Sequence, residues 1–177
     1  MFPFFRFFLA LLKVWGRKPM GPDKTFVSYH RIMPWDIDAF GELNNGRTLT
    51  IFDLNRLPFG VRTGLAKALR QNGWGLTIAG VSVRFRKRVK MFDKVKITCR
   101  IAGRDERFFY MVQTMWVGDE PAHNALYRGV AYSKKDGIIP TDELGKAMGL
   151  ENWNPEMPDW IKNWIAAEDT REWPPET

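Results

Sequence analysis

Two carboxylates, a glycine and a predicted helix start lie close together between Asp36 and Asn45. A thioester carbonyl under attack develops negative charge on its oxygen, and the free N–H groups at a helix N-terminus can stabilise that charge. The reaction also needs a carboxylate that attacks the carbonyl carbon or activates water, and Asp38 lies seven residues before Asn45. The sequence therefore suits acyl-transfer chemistry, with Asp38 as a candidate nucleophile or base and the N–H groups at the helix start as candidate donors. Asp36 is expected to be structural.

Asp53 is a second candidate base, because it lies eight residues after Asn45 and hence on nearly the same helix face. A charged side chain on an otherwise apolar helix is costly unless it is exposed, paired or used in chemistry. The alternative for Asp53 is an ion pair with Arg47, Arg56 or another basic group. The alternative for Asp38 is a structural role as a loop carboxylate that caps the helix.

The composition of the chain limits which partners and which catalytic groups are expected. The chain has 177 residues and a formal net charge of +7, which fits one domain with an anionic partner such as a phosphorylated coenzyme, a membrane surface or a nucleic acid. Its two histidines, His30 and His123, have no metal-ligand spacing around them and are expected to be ordinary strand residues. We therefore expect no metal site and no histidine-based triad. The single cysteine, Cys99, is compatible with a reducing compartment such as the cytoplasm.

A row of basic residues follows further along the chain, and it is expected on one face of a strand: Arg84, Arg86, Arg88 and Lys90. Such a row is compatible with a solvated sheet face, with binding of coenzyme phosphates, or with binding of nucleic acid. No aromatic side chains interleave with the row in the way that base stacking requires, which argues against nucleic acid.

The residues around the acidic segment predict the elements that position it. Residues 25–35 predict a first strand, and residues 36–43 predict a loop. From there on apolar residues recur at helical spacing, with Asn44 or Asn45 as the N-cap of a helix. Pro58 is expected to end this helix.

A period close to two residues dominates the second half of the chain. It predicts four long strands joined in an antiparallel meander, over residues 81–90, 94–101, 107–117 and 124–133. Further helices are expected over residues 61–71, 141–148 and 157–165. The order of strand, buried helix and run of strands indicates an α+β fold in which a sheet curls around one helix.

Residues 2–15 are almost wholly apolar apart from Arg6 and Lys13. On a helix these two residues and Arg17 fall on one narrow face, which leaves a wide apolar side. The segment is too short to span a bilayer as a helix. The apolar side is expected to pack on the domain or on a partner subunit, or to lie in a membrane interface. A signal sequence or a disordered tail is a further alternative.

The acidic segment resembles a motif of the hotdog thioesterase superfamily, in particular the branch related to 4-hydroxybenzoyl-CoA thioesterase. Members of this branch carry a D-x-D-x-x-G-H-x-N-N-like pattern at the entry to a central helix, which stands here as residues 36–45. Residues 84–97 are similar to the family's strand, turn and following strand, with Asp93 after the turn. Glu42 stands where the family usually has histidine, and Thr48 stands where an aromatic residue is common. The motif more nearly resembles that of a membrane-associated thioesterase-like subgroup, which also has a hydrophobic N-terminus before its D-x-D-containing loop.

The resemblance implies a hotdog fold, in which an antiparallel sheet of about five strands wraps around a central helix, with extra N- and C-terminal helices here. The expected domain covers residues 23–138, after an amphipathic helix and linker over residues 1–22 and before a helical extension over residues 139–177. The expected substrate-binding residues are Gly41, Asn44, Arg84 and Arg86.

The resemblance also implies a function. It predicts hydrolysis of a fatty or aromatic acyl-CoA thioester by a homodimer or homotetramer, with Asp38 as the catalytic carboxylate and the Asn45 N–H polarising the carbonyl. In other branches the acid lies on the helix, at the position of Asp53. Coenzyme A enters as part of the substrate, and no separate cofactor is expected. The alternative function is a non-catalytic acyl-CoA or lipid-binding protein that docks through residues 2–15 on the inner face of a membrane.

Overall fold

The computed structural model describes residues 3–172 and 174–175 and places an antiparallel sheet around a central helix. The helices are α1 (Phe4–Leu12), α2 (Asn45–Arg62), α3 (Leu65–Asn72), α4 (Thr141–Ala147) and α5 (Asp159–Asp169). The strands are β1 (Phe26–Arg31), β2 (Gly75–Phe85), β3 (Lys94–Arg104), β4 (Phe109–Val117), β5 (Glu120–Ser133) and β6 (Gly137–Ile139). A short 3-10 turn covers Pro34–Asp36. The predicted α+β class, with a sheet curled around one helix, is confirmed.

The strands follow the order β1-β3-β4-β5-β2, and the short β6 pairs with β5. The predicted meander is therefore correct for β3, β4 and β5, which pair in chain order. It is wrong for β2, which lies at the far edge beside β5, with Val81 opposite Tyr127. A two-residue period shows which side of a strand is buried but carries no information about its neighbour, so the crossover was not predictable from it.

Helix α2 packs in the concave side of the sheet because both surfaces are apolar. The side chains of Ile51, Phe52 and Leu54 are fully buried on the helix, and Val95 and Ile97 are fully buried on β3. The alternation predicted for β3 is confirmed by its burial pattern. A second apolar cluster lies outside this core, where α5 covers part of the sheet. Its buried residues are Ala102, Tyr110, Leu126 and Ile161.

Helix α2 begins where the sequence predicts but ends later. Asn44 is the N-cap, and its side-chain oxygen accepts hydrogen bonds from Gly46 N at 2.9 Å and Arg47 N at 3.2 Å. The prediction that Pro58 ends the helix is wrong, because α2 continues to Arg62 with Pro58 inside it. Pro58 is buried and the next residue, Phe59, is 1% exposed in the main core, so tertiary packing outweighs the helix-breaking effect of proline.

The predicted row of basic residues on one strand face is also wrong in part. Strand β2 ends at Phe85, so Arg84 lies in the strand whereas Arg86, Arg88 and Lys90 follow it in the connection to β3. This connection leaves the sheet to pass the loop before α2, where the Leu43 N–H donates to the Val89 carbonyl at 2.8 Å.

Helix α1 confirms the predicted helical N-terminus but packs with the opposite side from the one expected. Ala10 and Val14 are buried against the domain, whereas the large apolar side chains Phe5, Phe8 and Trp15 are 74%, 58% and 82% exposed. The expectation that the wide apolar side packs on the domain is therefore wrong for the single chain, and packing on a partner subunit stays a prediction. Phe2, which was part of the predicted segment, lies outside the described residues. No helix in the described part of the chain is long and apolar enough to cross a bilayer.

Candidate functional site

A pocket of about 240 Å³ opens at the N-terminus of α2. Three segments meet there: the loop before α2, the connection after β2, and the start of β5. Its lining residues are Glu42, Leu43, Asn45, Phe85, Arg86, Lys87, Arg88, Val89 and His123. The fold thus brings Asn45 and Arg86, both predicted from the sequence, to one pocket.

Asn45 is the first residue of α2, and its backbone N–H has no hydrogen-bond partner among the described residues. The next two N–H groups are bound by the Asn44 side chain, and the Thr48 N–H donates to the Asn44 carbonyl at 2.9 Å. The helix therefore keeps one free donor at its positive end, in a residue that lines the pocket. An N–H group in this position can stabilise an oxyanion.

Asp38 is held rigidly in the loop before α2. Its Oδ1 accepts hydrogen bonds from Phe40 N at 2.8 Å and Glu42 N at 3.4 Å, and its own N–H donates to the Glu42 carbonyl at 2.9 Å. The turn depends on Gly41, whose φ of +77° is disfavoured for other residues. Asp38 Oδ2 has no partner in the described part of the chain. Asp38 therefore caps its own loop rather than the helix. It is not among the residues that line the pocket, but its hydrogen bonds to the Glu42 backbone connect it to a residue that does.

Asp36 has the structural role that was expected. Its side chain is fully buried, and it accepts hydrogen bonds from Arg6 Nη1 at 2.7 Å, Arg47 Nη2 at 2.7 Å and Met33 N at 3.0 Å. Burial alone would raise the pKa of Asp36, but the bonds from Arg47, Met33 and Arg6 outweigh burial and hold the pKa below its usual range. The carboxylate ties α1 to the first turn of α2.

Asp53 forms an ion pair with Arg56, three residues further along α2. Burial raises the pKa of Asp53, and the Arg56 charge opposes that shift. The Arg56 guanidinium also lies 4.0 Å from the centroid of the Tyr127 ring. Asp53 does not line the pocket at Asn45, so the structure presents the ion pair that was its alternative role.

His123, which was expected to be an ordinary strand residue, lines the pocket. Its ring Nδ1 lies 3.2 Å from Thr48 Oγ1, and its ring centroid lies 5.0 Å from that of Phe85. Burial lowers the pKa of His123, while a hydrogen bond to the Lys87 backbone and the Glu42 charge raise it. His123 is 75 residues from Thr48 along the chain, and no local spacing reports that contact. The sequence signal that could have pointed to His123 is that its two neighbours, Glu42 and Thr48, both depart from the family motif.

The remaining predicted substrate-binding residues differ in position. Arg86 lines the pocket, whereas Arg84 does not. Neither has an ion-pair partner within residues 3–172 and 174–175, while the neighbouring Arg88 pairs with Glu42 at 3.1 Å. Gly41 shapes the loop and Asn44 caps the helix, as described above. Arg86 is therefore the available cation at the pocket.

A chain of hydrogen bonds crosses the core beside α2. Arg56 Nη1 donates to Gln113 Oε1 at 3.3 Å, and Gln113 Nε2 donates to Asn55 Oδ1 at 3.0 Å. Asn55 Nδ2 donates to Ser28 Oγ at 2.8 Å, and Ser28 Oγ lies 2.9 Å from His30 Nε2. These bonds satisfy the buried amides Asn55 and Gln113, which would otherwise be costly inside the core.

Other reactive groups are not placed for chemistry. Cys99 is buried on β3, and burial raises the pKa of its thiol to about 12. No group of three or more His, Cys, Asp or Glu side chains within the described ranges could hold a metal ion.

The antiparallel sheet wrapped around the central helix α2 defines a hotdog-fold domain. The sequence profile of the thioesterase-like superfamily matches residues 32–165. The chain therefore belongs to the thioesterase-like superfamily.

Two curated relatives and several solved structures are similar to the chain. It is 24% identical over 139 residues to Protein THEM6 of Xenopus laevis, covering 78% of this chain and 66% of that protein. It is 27% identical over 160 residues to Protein THEM6 of Drosophila melanogaster, covering 88% of this chain and 79% of that protein. The chain thus spans slightly less than two thirds of the frog relative.

Solved structures share the fold at low sequence identity. The probable thioesterase YbaW of Escherichia coli has a TM-score of 0.66 and 13% identity, covering 71% of this chain and 98% of that one. SAV2348 of Staphylococcus aureus, solved in complex with CoA, has a TM-score of 0.62 and 14% identity, covering 80% of this chain and 92% of that one. These likenesses confirm the predicted hotdog fold.

Proposed function

We propose that the protein hydrolyses a fatty or aromatic acyl-CoA thioester. The observation that carries this proposal is the unpartnered N–H of Asn45 at the N-terminus of α2, in a residue that lines the pocket. A free donor at this position can bind a carbonyl oxygen more strongly as that oxygen becomes negative, which lowers the barrier to acyl transfer.

In the proposed reaction the thioester carbonyl accepts a hydrogen bond from Asn45 N–H. The Asp38 carboxylate removes a proton from a water molecule, whose oxygen forms a bond to the carbonyl carbon. The carbon–sulfur bond then breaks, and the proton passes to the departing thiolate of coenzyme A. The products are a free carboxylic acid and coenzyme A. Direct attack by Asp38 Oδ2 is the variant of this scheme with a covalent intermediate.

The basic residues around the pocket support binding of coenzyme A phosphates. Arg86 lines the pocket without an ion-pair partner in the described structure, and Arg84 lies two residues before it at the end of β2. The SAV2348 structure with CoA belongs to a protein of the same fold. No separate cofactor is part of the proposal.

We propose a homodimer or homotetramer as the active form. Strand β2 is an edge strand of the sheet, and its Val81 and Phe85 are 41% and 42% exposed. An unpaired edge with exposed apolar side chains favours pairing with a second copy of the chain. Phe85 also lines the pocket, so such pairing would bring the partner close to the site.

The direct test is release of free thiol from a panel of acyl-CoA substrates by the wild type, Asp38→Asn and Asp53→Asn. Asparagine keeps an Oδ1 acceptor for the loop bonds of Asp38 but cannot act as a base, so turnover is expected to fall by about 10²-fold or more. Asp53→Asn is expected to change turnover less. Asp119→Asn, in the exposed turn between β4 and β5, is the matched control.

A second candidate function is a non-catalytic acyl-CoA or lipid-binding protein docked on the cytoplasmic face of a membrane. The observation that favours it is the exposed apolar side of α1. This candidate predicts that acyl-CoA binds while no thiol is released, and that neither aspartate substitution has an effect. That result would reject the hydrolase proposal.

A further inference from the structure

A groove of about 670 Å³ runs between α1 and the edge strand β1. Its volume is in the range of about 300–1,000 Å³ that is typical of small-molecule sites. Strands β1 and β2 form opposite edges of the sheet, and the pocket at Asn45 adjoins the end of β2. The two cavities share no lining residue. The groove is therefore separate from the site proposed for thioester hydrolysis.

The charged residues of the groove are all basic. Its lining includes the four cations Arg6, Lys13, Arg17 and Arg31, and no carboxylate is among the described residues that line it. Arg6 is neutralised by its ion pair with Asp36. Lys13 and Arg17 have no ion-pair partner in the described part of the chain, so their charges are available to a ligand. An anionic group is the complement of this wall.

The rest of the groove is mainly apolar. On one side it is lined by Leu9 of α1 and by Val14, which follows the helix, and on the facing side by Phe26, Leu54 and Pro58. Leu54 and Pro58 belong to α2, so the groove reaches the central helix. A ligand that fits both parts of the lining has an apolar chain as well as an anionic group.

His30 is the buried polar side chain of the groove. Ser28 Oγ accepts a hydrogen bond from Asn55 Nδ2 and lies 2.9 Å from His30 Nε2. Burial, together with the charges of Arg6 and Lys13, lowers the pKa of His30 to about 4. At neutral pH the ring is therefore uncharged, and its Nδ1 has no partner among the described residues.

We propose that this groove binds one fatty acid, with its carboxylate held by Lys13 and Arg17 beside the His30 ring and its chain along the apolar wall. The volume and the single charged region fit one chain with one anionic group. Of the exposed apolar side chains in the N-terminal segment, Phe5 and Leu9 line the groove, whereas Phe8, Leu12 and Trp15 lie outside the set of described residues that line it. The proposal does not depend on hydrolysis at Asn45.

The test is calorimetric titration of the full chain with dodecanoate below its micelle concentration. Lys13→Gln/Arg17→Gln is expected to weaken binding roughly tenfold or more, because two uncompensated charges are lost. The matched control is Lys67→Gln/Arg70→Gln, which removes the same charge from exposed positions on α3. Dodecanol, which has the same chain without the charge, is expected to bind the wild type at least roughly tenfold more weakly than dodecanoate.

A second measurement locates the bound carboxylate. The chain has two histidines, so their ring signals in NMR are easily followed, and His30→Gln identifies the signal of His30. At pH 7 dodecanoate is an anion, and its charge beside the His30 ring is expected to shift the ring signals of His30. The ring signals of His123 are expected to keep their positions.

Three results would overturn the proposal. One is equal affinity of the wild type and Lys13→Gln/Arg17→Gln for dodecanoate without a change at His30, which would place the ligand at the thioesterase pocket. Another is equal affinity for dodecanol and dodecanoate. The third is binding to phosphatidylglycerol vesicles but not to dodecanoate, which would assign the cations to a membrane surface.

A further variant separates the groove from the exposed apolar side chains of the N-terminal segment. Phe8→Ser/Leu12→Ser/Trp15→Ser is expected to keep dodecanoate binding.

Discussion

Asp36 and Asp38 are two residues apart and have the same side chain, but the fold gives them opposite environments. Asp36 is fully buried and bound by two arginines. Asp38 is partly exposed, and only its Oδ1 is used by the loop. A carboxylate that is saturated with charged donors is a poor base, whereas one with an oxygen free of hydrogen bonds can accept a proton.

Asp36→Asn is expected to destabilise the protein in a pH-dependent way. Its folded pKa lies below the unfolded value of about 4, so its stabilising contribution is fully present above that value and is lost as the pH falls through the folded pKa. At pH 7 the substitution removes the charged carboxylate that Arg6 and Arg47 both contact and is expected to cost about 3 kcal/mol. Urea unfolding at pH 7 and at low pH measures both effects. If the difference in the free energy of unfolding between the wild type and Asp36→Asn did not shrink in acid, Asp36 would not have the lowered pKa described here.

At the scale of elements, the loop before α2 and the first turn of α2 form one unit. The Asn44 N–H donates to the Asp36 carbonyl at 2.9 Å while its side chain caps the helix. The cap occupies the N–H groups of Gly46 and Arg47 and leaves that of Asn45 free. The same residue that starts the helix therefore also selects the N–H that is left for a substrate.

Asn44→Ala is expected to lower the free energy of unfolding by about 1 kcal/mol, because two N–H groups of α2 lose their acceptor. Asn44→Ser keeps a capping oxygen and is expected to lose less. Chemical denaturation of both variants measures the difference. If alanine and serine were equally tolerated, the Asn44 side chain would not be holding the helix start.

Elements with local signals were predictable, and those set by distant contacts were not. The cap at Asn44 and the alternation of β3 depend on neighbouring residues, so the sequence shows them directly. The continuation of α2 past Pro58 depends on burial of Phe59 against the sheet, and the place of β2 depends on pairing with β5. For the site, Asn45 and Arg86 were predicted, whereas His123 reaches the pocket through a strand pairing that no spacing reveals.

At the scale of the whole molecule, α1 presents two different sides. Its narrow side is attached to the domain through Ala10, Val14 and the Arg6–Asp36 ion pair. Its wide side exposes several large apolar side chains, among them Phe8 and Trp15. An apolar patch of this kind marks a contact with a membrane or with another protein.

Phe8→Ser/Leu12→Ser/Trp15→Ser is expected to abolish binding to anionic liposomes without reducing thermal stability. The three side chains are exposed in the single chain, so the fold does not depend on them, whereas an interfacial helix does. Liposome co-sedimentation and a melting curve measure the two effects. If liposome binding were unchanged and sedimentation velocity showed a smaller oligomer, the patch would be a subunit contact instead.

The central claim is that the Asn45 N–H stabilises the oxyanion, and Asn45→Pro tests it most directly. Proline is well accepted at the first position of a helix, and Asn44 already has the extended backbone that precedes proline, so the substitution removes one N–H and keeps the fold. Asn45→Ala, which keeps the N–H, is the control.

The measurement is kcat for thiol release from the best acyl-CoA substrate by the wild type, Asn45→Pro and Asn45→Ala, with melting temperatures recorded beside it. We expect Asn45→Pro to lower kcat by about 10²–10³-fold and Asn45→Ala to retain most of the activity, with all three proteins equally folded. Full activity in a folded Asn45→Pro protein would contradict the proposed role of this N–H.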